Sequence, residues 1–104
     1  MFSLDTLATL IATRAGADAG QSYTRSLLDK GAAACARKFG EEAVEFVVAA
    51  LSEDNAALRG EAADVLYHLL VVLQARGIAL ADVLAELERR TGRSGLEEKA
   101  SRQS

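Results

Sequence analysis

No proline interrupts the 104 residues of this chain. Nor does any stretch alternate apolar and polar residues long enough to read as a strand. Ala, Leu, Glu and Arg dominate, and all four are strong helix formers. These features leave little but an all-α fold, and the chain is short enough to form one domain, residues 1–104.

The stop signals divide the chain into helices. Ser3 is placed to N-cap a helix over about Leu4 to Ala15, and a loop follows from Gly16 to Gly20. A second helix starts near Ser22 and runs to about Lys30. Gly31 kinks it or separates it from the next helix. A third covers about Ala32 to Leu51. The polar turn Ser52 to Asn55 offers Asp54 or Asn55 as N-cap for a fourth helix, about Ala56 to Arg76. Gly77 is suited to end that helix in the left-handed conformation. A fifth covers Leu80 to Thr91, with Asp82 early and Arg89 and Arg90 late, an order that suits the helix dipole. Gly92 stops it, and the tail to Ser104 is polar with room for one short helix. The expectation is therefore a bundle of four to five helices built on a central antiparallel hairpin.

Two acidic clusters fall on that hairpin: Glu41, Glu42 and Glu45 on the third helix, Glu61 and Asp64 on the fourth. Both lie in strongly apolar stretches, where carboxylates are rare unless paired or bound to a metal. At roughly 100° per residue, Glu45 falls near 40° from Glu41, Lys38 near 60° and Glu42 near 100°. That is one narrow acidic stripe. Around Glu61, Asp64 falls near −60° and His68 near −20°, again roughly one face. The short turn makes the helices antiparallel, and Glu45 and Glu61 lie about six residues to either side of it. At about 1.5 Å per residue the two stand at similar height. Converging carboxylates repel unless a cation joins them. Hard oxygen donors suit Mg²⁺, with Mn²⁺ as a substitute, and Mg²⁺ commonly binds substrate phosphates. A spare carboxylate then orients or deprotonates a water.

The remaining residues carry weaker signals. Lys38 on the acidic stripe reads equally as an ion-pair partner or as a phosphate contact. Gly40 and Gly60, next to the two clusters, suggest close helix approach or room for a ligand. Tyr23 and Tyr67 read as packing residues with a hydroxyl at an edge, and His68 as a core histidine satisfied by a neighbour. The single cysteine, Cys35, excludes an internal disulfide and reads as a small buried side chain. Net charge is −3, which gives no general pull toward nucleic acid. Asp5 interrupts any leader-like block, and the longest apolar run, Val65 to Leu73, is too short to span a bilayer. A soluble cytoplasmic protein without membrane or nucleic-acid partners is expected. The fourth helix is apolar on nearly every side, which a monomer of this size hardly covers, so a homodimer is expected as well.

The pattern E-E-x-x-E followed by E-x-x-D on a helical hairpin resembles the MazG-related all-α nucleotide pyrophosphohydrolases. Further segments narrow the resemblance to the phosphoribosyl-ATP pyrophosphatases: S-Y-T-R-S-L-L at 22–28, K-F-G-E-E-A-V-E at 38–45, E-A-A-D-V-L-Y-H-L-L-V at 61–71 and R-S-G-L-E-E-K-A-S-R at 93–102. The resemblance implies hydrolysis of 1-(5-phospho-β-D-ribosyl)-ATP to the AMP compound and diphosphate, the second step of histidine biosynthesis. It implies Glu42, Glu45, Glu61 and Asp64 as metal ligands. Glu41 matches the remaining motif acid, for a second cation or for orienting water. Arg25, Arg93, Lys99 and Arg102 are the candidates for substrate phosphates. The family is typically a homodimer or larger, with sites near subunit contacts.

Other functions weigh less. A MazG-like enzyme clearing noncanonical NTPs shares the carboxylates but not the R-S-G-L-E-E-K segment. A di-iron bundle needs two Glu-x-x-His motifs, and this chain has one histidine. A non-catalytic interaction module explains the apolar helices but not the facing carboxylates.

Overall fold

The computed structural model describes residues 1–18 and 22–92, together with Lys99 and Arg102. Among them are five helices: α1 (Leu4–Ala15), α2 (Tyr23–Asp29), α3 (Ala32–Ser52), α4 (Asn55–Arg76) and α5 (Leu80–Thr91). No strand occurs among the described residues. Of the phosphate candidates, Arg93 lies outside the described residues.

Side chains fix most of the helix starts. Ser3 accepts from the Thr6 amide at 3.1 Å, Ser22 from Arg25 at 3.2 Å and Asp54 from Ala57 at 2.9 Å. Each bond satisfies one of the amides a helix start leaves without a partner. Gly31 separates α2 from α3 rather than kinking one long helix. Its φ of 93° is open to glycine and strained for other residues. Gly77 ends α4 at φ 71°, and the Ile78 amide reaches back to the Leu73 carbonyl at 2.9 Å.

The hairpin of α3 and α4 is the frame of the molecule. Its turn is tighter than the four residues expected, because only Glu53 and Asp54 lie between the helices. With so short a link the helices pack along their length, and Ala49 near the turn is fully buried. At the far end α1 and α2 close over the hairpin. Ile11, Leu27, Cys35, Leu70 and Val71 form the buried core there. A fully buried Leu or Val contributes about 1.5–3 kcal/mol. Thr24, which is buried, bonds Tyr67 through the two hydroxyls at 2.6 Å, tying α2 to α4.

The core thus lies toward one end of the hairpin. The rest of α3 leaves Val44, Val47, Val48 and Leu51 exposed, and α4 leaves Leu66 and Leu69 exposed. Helix α5 departs at 111° to α4, and no residue of it is buried. No single helix among the described residues is long and apolar enough to cross a membrane.

Candidate metal centre

The site forms where the acidic stripes of α3 and α4 meet. Glu45 and Glu61 stand eight residues to either side of Glu53, and Glu42 and Asp64 stand eleven. The tight antiparallel turn therefore puts each pair at one level. Glu42, Glu45 and Glu61 each bring a carboxylate oxygen within 4.8 Å of the others. Glu42 is buried, Glu61 is half-buried and Glu45 is exposed. Asp64 is exposed and falls outside that group of three, as does Glu41, whose side chain is 67 % exposed.

This arrangement is short of positive charge. Lys38 reaches Glu42 at 3.2 Å and Glu41 at 3.7 Å, and the Glu42 carboxylate holds its pKa above the usual lysine value. Glu45 is pushed the other way from an ordinary surface glutamate. A hydrogen bond to Glu42 and the charge of Glu42 raise its pKa, with smaller contributions from burial and from Glu61. Lys38 opposes the rise. Two carboxylates this close share a proton when no cation is present. Glu61 Oε2 is buried and accepts no hydrogen bond. A buried carboxylate oxygen without a donor is costly. Three carboxylates that each bring an oxygen toward one point, one of them carrying an orphaned oxygen, are the donor set of a hard divalent cation. The cluster is thus able to hold a metal ion.

Around it sits an aromatic group. Tyr67 and His68 meet edge to face at 5.0 Å, and Tyr23 lies nearly parallel to Tyr67 with ring centres 6.3 Å apart. His68 is buried, and burial lowers its pKa; the charges of Glu42 and Asp64 raise it, and that of Lys38 lowers it. Tyr67 is the packing tyrosine with a bonded hydroxyl that the sequence suggests. Tyr23 differs, being 59 % exposed beside Lys38. No spacing rule finds the Thr24–Tyr67 bond, since its partners are 43 residues apart.

Other candidates are placed as follows. Arg25 bonds Asp29 at 2.8 Å and the carbonyls of Ala15 and Ala17 at 3.3 and 2.8 Å. Its guanidinium thereby fastens α2 to the end of α1. Lys99 and Arg102 are helical and exposed. Cys35 is buried, its thiol donates to the Leu27 carbonyl at 3.3 Å, and burial raises its pKa. It is an inert core residue. A Cβ added at Gly40 or Gly60 meets nothing within 4 Å, so close approach within the chain does not explain these glycines.

Residues 4–91 match the sequence model of the phosphoribosyl-ATP pyrophosphohydrolase family. The chain belongs to that family. It is 60 % identical over 101 residues to a phosphoribosyl-ATP pyrophosphatase of Azorhizobium caulinodans, covering 97 % of this chain and 93 % of that protein. It is 61 % identical over 102 residues to a protein of the same name from Dinoroseobacter shibae, covering 98 % of this chain and all of that one. A relative in Parvibaculum lavamentivorans, also so named, is 61 % identical over 99 residues, 95 % of this chain and 91 % of its own length. The acidic hairpin, residues 41–64, falls wholly within the matched span.

Proposed function

We propose that this chain hydrolyses 1-(5-phospho-β-D-ribosyl)-ATP to 1-(5-phospho-β-D-ribosyl)-AMP and diphosphate, the second step of histidine biosynthesis. Near-full-length identity to relatives carrying that enzyme's name supports the substrate. The convergence of Glu42, Glu45 and Glu61, together with the orphaned oxygen of Glu61, supports a Mg²⁺-dependent hydrolase, with Mn²⁺ as a substitute. A divalent cation in such a place screens phosphate charge and makes water more acidic.

The residues divide the work by position. Glu42, Glu45 and Glu61 hold the ion, and Asp64, level with Glu42 on α4, completes the set from the exposed side. Glu41 points out beside Lys38 and is the carboxylate free to orient a water. Lys38 keeps the carboxylates together before the substrate arrives and turns to a phosphate oxygen when it does. Arg93, Lys99 and Arg102 are tail cations for the substrate's phosphates. Arg25 is placed to act on the site mainly by fixing α2.

The exposed apolar stripe Val44, Val47, Val48 and Leu51 on α3 supports a homodimer, because i, i+3, i+4 and i+7 is the spacing of a helix seam. Val47→Glu is expected to convert the dimer to monomer in sedimentation; an unchanged mass removes that seam from the interface.

The deciding test is growth of a histidine auxotroph lacking this step. Rescue by the wild-type chain, with diphosphate release by purified protein and Mg²⁺, is the expected result. Failure of both, with activity on noncanonical NTPs instead, moves the chain to the clean-up reading.

A further inference from the structure

A groove of about 310 Å³ runs between α2 and α3, lined by Tyr23, Leu27, Lys30, Arg37, Lys38 and Glu41. It begins at the acidic centre, where Lys38 and Glu41 belong to both, and leads away from it along α3. Its charge runs against that of the chain. The protein carries a net −3, yet this groove holds three cations against one carboxylate. Lys38 is already engaged with Glu41 and Glu42. Lys30 and Arg37 are exposed and make no ion pair with a carboxylate among the described residues.

The groove's wall is prepared as well. Thr24 fixes Tyr67 by its hydroxyl, and the Tyr67 and His68 rings stand 6.3 and 6.4 Å from the Tyr23 ring. The outer part of Tyr23 stays open, 59 % exposed. Below it Leu27 and Ala34 give an apolar floor. An aromatic face over a small apolar floor fits the carbon face of a sugar, and the two uncommitted cations beyond it fit an anion.

We propose that this groove binds a ribose phosphomonoester, with Lys30 and Arg37 holding the phosphate and Tyr23 lying against the sugar. The inference rests on the function proposed above. That substrate carries phosphate at both ends: a triphosphate, which the carboxylate centre addresses through a cation, and a phosphomonoester on the second ribose. Phosphates at both poles require cations away from the acidic cluster, and Lys30 and Arg37 supply them. The groove thereby separates this substrate from an ordinary nucleoside triphosphate, which has nothing to place there.

Lys30→Ala/Arg37→Ala tests this, with Arg37→Lys as the conservative control. Loss of a charge-assisted phosphate contact is expected to raise KM for the phosphoribosyl nucleotide about tenfold or more, with kcat nearly unchanged. Inhibition by ATP, which lacks the second ribose, stays at its wild-type level. Calorimetry with ribose 5-phosphate and no metal gives a second readout: binding to the wild type, its loss in the double variant and partial return in Arg37→Lys. An unchanged KM and unchanged ribose 5-phosphate binding overturn the proposal. Equal weakening of ATP also overturns it, because the groove then serves the triphosphate. Absence of turnover in the wild type overturns the proposed function instead, and the calorimetric comparison still stands on its own.

Discussion

Glu45 and Glu86 are the same residue type on helices of one small molecule, and their surroundings push them in opposite directions. On α5, Glu86 meets Arg89 at 2.6 Å and Arg90 at 3.0 Å, and these guanidiniums hold its pKa at about 2. In the hairpin, Glu45 faces Glu42 and Glu61, and its pKa is raised. Charge on α5 is balanced within one helical turn, by residues three and four apart. Charge in the hairpin is assembled by tertiary folding, from residues sixteen apart, and one Lys38 does not balance it. A balanced site needs nothing further. An unbalanced one is relieved by a shared proton or by a cation from outside, and the second of these is what phosphate chemistry uses.

The most severe way to probe this contrast is to remove one acid from each place. Glu61→Ala is expected to lower turnover by about a thousandfold, since a divalent ion's stabilisation of phosphoryl charge is worth several kcal/mol. The helical circular dichroism stays, because the change also removes an oxygen without a donor. Glu86→Ala leaves turnover near wild type. Comparable turnover in the two variants would break the distinction between the sites.

A second probe needs no turnover. Mg²⁺ at about a hundred times its Kd stabilises the wild type by about 2.7 kcal/mol. For a domain of this size that is a Tm rise of roughly 10 °C or more. Glu61→Ala loses the rise, and Glu86→Ala keeps it. A rise of equal size in all three proteins means the ion binds elsewhere.

The hairpin half of this contrast was legible in the sequence; the pairing of Glu86 with Arg89 and Arg90 was not read there. The tight turn at Glu53 and Asp54 forces an antiparallel hairpin, so counting residues outward from it placed Glu45 opposite Glu61. Helical geometry is rigid, and counting along it works. Counting failed where a side chain's task depends on its surroundings. Arg25 was a candidate for substrate phosphates, and no pattern foretold that the carbonyls of Ala15 and Ala17 also hold it. Gly40 and Gly60 suggested close helix approach or room for a ligand, and the open space beside each removes only the first. Tyr23 and Tyr67 looked equivalent, yet Tyr67 is half-buried and bonded to a partner 43 residues away, while Tyr23 is exposed. Loop paths and crossing angles decide these matters, and no local pattern encodes them.

The gentlest probe is pH, where the two glutamates call for opposite signs. Glu45 has a folded pKa above its unfolded value of 4.5, so folding favours its protonated form. Its contribution is fully present below about pH 4.5 and is lost as pH rises through the folded value. Metal-free protein is therefore expected to gain stability on mild acidification from neutral pH, and Glu45→Gln to flatten that gain. Glu86 has a folded pKa of about 2 against 4.5 unfolded. Its contribution is present above about pH 4.5 and is lost as pH falls toward 2. Exposure and salt screen this pair, so Glu86→Gln gives the smallest change of all. The test is the sign of the difference in Tm from wild type along a pH series in chelator. For Glu45→Gln the variant is favoured at neutral pH and the difference closes toward pH 4.5. For Glu86→Gln the wild type is favoured at neutral pH and the difference closes toward pH 2. Matching signs at neutral pH would mean that the two carboxylates sit in equivalent fields, and the hairpin's shortage of positive charge would lose its support.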